Sequence, residues 1–106
     1  MSLYYESHVT IEPVLEERDL EHLKFVCELH GFRVADLLMQ KRKEDTPERS
    51  KFDTFCSSRS VDLPVLEKRM FDFVRACRDV GFKVWRYKIE DVILDSKVDD
   101  SRLRLK

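Results

Sequence analysis

Long apolar runs are missing from this sequence: the longest uninterrupted ones are only a few residues, so no segment reads as a membrane span. An excess of charge of one sign is missing too. Lys and Arg number 20 against 21 Asp and Glu, for a net charge of -1. That balance excludes bulk electrostatic attraction to nucleic acid or to an acidic membrane, although local basic patches stay open. Cysteine is sparse and odd in number, at positions 27, 56 and 77. No pair has zinc-finger spacing, and with no signal-peptide pattern the expectation is reduced thiols in a cytoplasmic protein. Glycine is almost absent, with two residues in 106. What is present suffices for a folded chain: 42% of residues are hydrophobic, and seven Phe, three Tyr and one Trp argue against global disorder. The charged fraction is high, at 39%.

The two glycines carry the topology. Cys27-Glu-Leu-His-Gly31-Phe32-Arg33-Val34 and Cys77-Arg-Asp-Val-Gly81-Phe82-Lys83-Val84 share a cysteine four residues before the glycine, and Phe, a basic residue and Val after it. Each reads as a helix ending in a left-handed glycine cap and passing into a strand. The spacing of fifty divides the chain into two halves, 3–41 and 53–94.

Residues 3–12 alternate as a half-buried strand, with Tyr5, Val9 and Ile11 on one side and Glu6, His8, Thr10 and Glu12 on the other. Residues 16–30 have helical spacing, with Leu20, Leu23, Val26, Cys27 and Leu29 on one face. A strand over 32–41, a charged loop over 42–52 and a strand over 53–59 follow. Asp62 and Pro64 open a helix that runs to about residue 80, burying Leu63, Leu66, Met70, Phe73, Val74 and Cys77. Residues 83–94 are the strongest strand. The charged stretch 96–106 reads as a tail.

The order βαβ–βαβ resembles the ferredoxin-like superfold over essentially the whole chain. That resemblance implies one α+β domain over 1–95: a four-stranded antiparallel sheet in the order 4-1-3-2 with two helices on one face. The other face is then open. It would carry Glu6, His8, Thr10 and Glu12 from the first strand. If Trp85, Tyr87 and Ile89 point to the helices, it would also carry Arg86, Lys88 and Glu90 from the last. The third strand has two parities. Thr54, Cys56 and Ser58 join the open face if Phe55 points inward; otherwise Phe52 and Cys56 are the inward pair.

Arg86 and Lys88 are suited to hold phosphate or carboxylate, and His8 is of the residue type best suited to serve as acid or base. The plainer reading of the same residues is a solvated face with cross-strand ion pairs. His8-Val9-Thr10 resembles one H-x-T signature of the two-histidine phosphoesterases, whose two histidines form an acid–base pair. The offset of fifty sets Ser58-Arg59-Ser60 against it, without a second histidine. No Cys or carboxylate accompanies His22 or His30 at metal-ligand spacing, so no metal and no cofactor is expected. Cys27 and Cys77 read as core residues. Cys56 has the alternative of a nucleophile beside His8, with burial the plainer reading.

The functional expectation is a small binding or regulatory domain. It would use its open face for a phosphate-containing or acidic small ligand, through Glu6, Ser58, Arg86, Lys88 and Glu90, or for association as a homodimer. The alternatives are a phosphodiesterase-like hydrolase centred on His8 and Thr10, and an RNA-binding accessory domain. The RNA reading has less behind it, because no pair of exposed aromatics is expected on the central strands, and acidic residues dilute the basic 42–52 loop.

Overall fold

The computed structural model describes residues 2–35 and 53–94. The order along the chain is β1 (Tyr4–Ile11), α1 (Glu17–His30), β2 (Arg33–Val34), β3 (Thr54–Ser60), α2 (Leu63–Asp79) and β4 (Val84–Val92). The expected 42–52 loop and 96–106 tail lie outside the described residues, as does the second strand beyond residue 35.

Antiparallel pairing builds one sheet in the order β2-β3-β1-β4, which is the expected 4-1-3-2 order read from the other edge. The protein has the ferredoxin-like α+β architecture. Strand alternation sets its two faces. Ser7, Val9 and Ile11 of β1 stand opposite Ser58, Cys56 and Thr54 of β3, and all six are buried. Leu23, Val26 and Cys27 of α1 and Leu66, Met70, Phe73, Val74 and Cys77 of α2 supply the other side of the core. Phe73 is fully buried and stacks on Phe32, with ring centroids 4.2 Å apart and planes 10° from parallel. Stacked aromatics combine large buried area with a fixed geometry.

The repeated glycine sequence forms the same junction twice. Gly31 and Gly81 both have positive φ, at 75° and 99°. Past each, a phenylalanine N–H turns back to the cysteine carbonyl: Phe32 to Cys27 at 2.8 Å and Phe82 to Cys77 at 2.9 Å. These bonds satisfy helix-end carbonyls that would otherwise lack partners, which accounts for the conformation shared by the two segments.

Three expected placements differ. Leu29 is 65% exposed and Leu63 lies at the exposed margin, so the buried stripe of each helix is narrower than its apolar spacing suggests. Trp85 does not join the core. The β1–β4 register shifts between Thr10 and Ile11, so that Thr10 pairs with Arg86 but Ile11 with Val84. This bulge leaves Trp85 as the extra residue, and Val84 takes the buried place.

Candidate functional site

The open face is built from the residues of each strand that alternate with the core positions. β1 supplies Glu6, His8 and Thr10; β4 supplies Arg86, Lys88 and Glu90 in the paired positions. The structure therefore brings together six of the seven residues singled out in the sequence. Ser58 is the exception. It is buried on the helix side, where its hydroxyl donates to the Gly31 carbonyl at 2.7 Å and accepts from Arg69 Nη1 at 2.8 Å. Ser58 is a strut between the two halves of the fold, and it does not reach the open face.

The reason is the parity of β3. Its sequence, Thr-Phe-Cys-Ser-Ser-Arg-Ser, has little apolar alternation to fix the face. The register sets Phe55, Ser57 and Arg59 opposite Thr10, His8 and Glu6, on the open side. Arg59 was the available signal, since a guanidinium beneath two helices would need a buried partner. The comparison at a fixed offset of fifty fails for a related reason. The stretch from strand end to glycine is one residue longer in the second half, 60 to 81 against 11 to 31. Face and counterpart therefore slip by one, and His8 stands opposite Ser57. No histidine occupies the second position in either alignment.

A row of charges crosses three strands. Arg59 Nη2 lies 3.5 Å from Glu6 Oε2, and Glu6 Oε1 lies 3.4 Å from His8 Nε2. The same His8 nitrogen is 3.1 Å from Glu90 Oε1, and Glu90 Oε2 is 3.6 Å from Lys88 Nζ. Arg59 also lies over the Tyr4 ring, 4.5 Å from its centroid. Each carboxylate thus has two basic neighbours. Arg86 and Arg33, on the same face, have no ion pair among the described residues.

Beside this row, His8, Thr10, Phe55, Arg86, Lys88 and Glu90 line a hollow of about 130 Å³. Its floor is formed in part by Thr10, which is almost fully buried. A second and larger cleft, about 440 Å³, opens beside β2, with Glu6, Ser57, Arg33, Arg59 and Arg69 around it. The open face also carries two half-buried aromatics on its central strands, Tyr4 and Phe55. They sit at opposite ends of the β1–β3 pair, so they do not form one stacking platform.

The cysteines belong to the core. All three are free and buried. Cys56 lies on the face opposite His8, with its sulfur 3.7 Å from that of Cys27. Contact with the Cys27 thiol, and then burial, hold the Cys56 thiol far above its ordinary range. Burial, with Cys27 nearby, pushes Cys77 up to about 12. Neither is a thiolate nucleophile near neutral pH. Among the described residues, no group of three or more His, Cys, Asp or Glu side chains converges to hold a metal ion, and no helix is long and apolar enough to cross a membrane.

No protein-family model matches the sequence, and no curated protein matches it. The fold defines the class, a ferredoxin-like α+β protein. That superfold carries many unrelated functions, so function has to be read from the site.

Proposed function

We propose that this protein is a non-catalytic binding module whose open sheet face takes a small anion, phosphate or a phosphate-containing ligand. The observation that carries the reading is the charge distribution of that face. Its strands present Arg33, Arg59, Arg86 and Lys88 against two carboxylates, Glu6 and Glu90, in a chain whose net charge is -1. Both carboxylates are engaged, whereas Arg86 borders a hollow with Lys88 and the Thr10 position beside it. A planar guanidinium, an ammonium and a nearby hydroxyl are suited to oxyanion recognition.

The hydrolase alternative has less support. His8 Nε2 lies between two carboxylates, and the opposing strand offers Ser57 where a second acid–base group would be needed.

Titration with inorganic phosphate and pyrophosphate, followed by amide chemical shifts, tests the reading. Shifts should concentrate at Thr10, Arg86 and Lys88. Arg86→Gln should weaken binding about tenfold or more, the scale of one charge-assisted hydrogen bond. Lys68→Gln, which removes a cation on α2 paired with Asp72, should leave binding unchanged. Absence of shifts on the open face, or binding indifferent to Arg86→Gln, would sink the proposal.

A further inference from the structure

β4 is the outermost strand of the sheet, and no strand pairs with its outer side among the described residues. It is nine residues long and contains no proline, whereas the opposite edge strand, β2, is described over only two residues. A long unpaired edge presents a row of backbone donors and acceptors that can template another strand. Apolar side chains accompany it: Trp85 is 49% exposed and Ile93, just past its end, 67%. Phe71 of α2, which meets Tyr87 edge-on at 5.8 Å, is also exposed on the helix side.

The charge order along β4 indicates what pairs with it. Arg86 and Lys88 precede Ile89, and Glu90 and Asp91 follow it. Such a segment is complementary to itself run backwards. We infer that β4 pairs antiparallel with β4 of a second copy of this chain, about a two-fold axis at Ile89, to make a continuous eight-stranded sheet.

The register follows from two conditions. A two-fold axis normal to the sheet keeps helix-side residues opposite helix-side residues, so the axis passes through a residue position. Among the central positions, an axis at Lys88 opposes Lys88 to its own copy, and an axis at Glu90 opposes Glu90 to its own. An axis at Tyr87 opposes Arg86 to Lys88. Like charges directly opposite are destabilising. An axis at Ile89 instead sets Lys88 against Glu90 of the second copy, twice. It also sets Trp85 against Ile93 of the second copy, so that both ends of the seam gain apolar contact. Joining edges leaves the open face uncovered, and this inference stands independently of the anion proposal.

Sedimentation equilibrium over a concentration series tests it with wild-type protein and three further samples: Lys88→Glu, Glu90→Lys, and an equimolar mixture of the two. Wild-type protein should dimerise. Each variant alone opposes like charges twice and should dimerise about tenfold or more weakly. The mixture should recover dimer. The glutamate introduced in one chain then meets the lysine introduced in the other, and the native Lys88 and Glu90 that remain meet across the seam as before. Mixing cannot restore the neighbouring Lys88–Glu90 contact within one chain, so recovery reports the seam and not the fold. If Glu90→Lys does not fold, Glu90→Gln mixed with Lys88→Gln is compared with each alone by the same measurement, and hydrogen exchange of wild-type β4 amides should slow as concentration rises. A wild-type monomer up to about millimolar concentration, or a dimer insensitive to both variants, overturns the inference.

Discussion

The two halves of this fold reach the same topology with unequal local instructions. β1-α1-β2 starts its helix after Glu16, whose side chain makes no capping bond, and α1 buries three residues over 14. β3-α2-β4 starts its helix at Asp62, whose side chain accepts from the Val65 N–H at 3.2 Å, and α2 buries five residues over 17. Helix stability in a folded protein comes mainly from packing of the apolar face, with caps adding a smaller local term. The second half has more of both. It follows that symmetry of chain path does not require symmetry of stability, and the first half leans on the second.

The largest test of that dependence is Phe73→Ala. Phe73 belongs to α2 but stacks on Phe32, which follows the first half's glycine. Its loss should cost about 3–5 kcal/mol, a large share of a small domain's stability. Urea denaturation measures it, and a loss below about 1 kcal/mol would show that the halves do not depend on this contact.

Exchanging the glycines compares the junctions more finely. Alanine at either position meets an unfavourable positive φ and should cost about 1–2 kcal/mol. The surroundings differ, however. A Cβ at Gly31 would lie 3.3 Å from Arg69 Cδ, whereas at Gly81 nothing lies within 4 Å. Gly31→Ala should therefore be non-additive with Arg69→Ala in thermal or urea unfolding, and Gly81→Ala should be additive with it. Equal coupling at both glycines would remove the distinction drawn between the junctions.

The smallest effect concerns the helix starts. Asp62→Ala should destabilise by about 1 kcal/mol through loss of the cap. Glu16→Ala should change stability by less than about 0.5 kcal/mol. Denaturation of the two variants side by side checks the contrast, and similar losses would contradict it.

Much of this arrangement was legible in the sequence because particular residues permit few alternatives. Two glycines in an otherwise glycine-free chain marked both helix ends, and the alternation of Glu6, His8 and Thr10 put them on one face. Alternation places Arg86, Lys88 and Glu90 on that face as well, despite the bulge, because the register shift falls before Arg86. The face of Ser58 is not legible in this way, because β3 is made largely of small polar residues that can face either way. The place of Trp85 is not legible either, because the bulge is a property of the pairing between two strands and leaves no clear mark on either one. Apolar spacing makes the helix faces too wide at Leu29 and Leu63, since it does not show how far the sheet beneath extends.

The strand order has a consequence for how the chain acquires its structure. β1 and β2 are not neighbours, because β3 lies between them; β3 and β4 are separated by β1. Neither half contains a sheet of its own. Every ladder that involves β1 joins segments distant in sequence, Ile11 to Thr54 and Tyr4 to Val92 among them. Chain closure over such distances is entropically costly before any pairing rewards it, which slows folding relative to proteins rich in local contacts. The helices can begin to form locally, whereas every ladder of the sheet joins a strand of one half to a strand of the other.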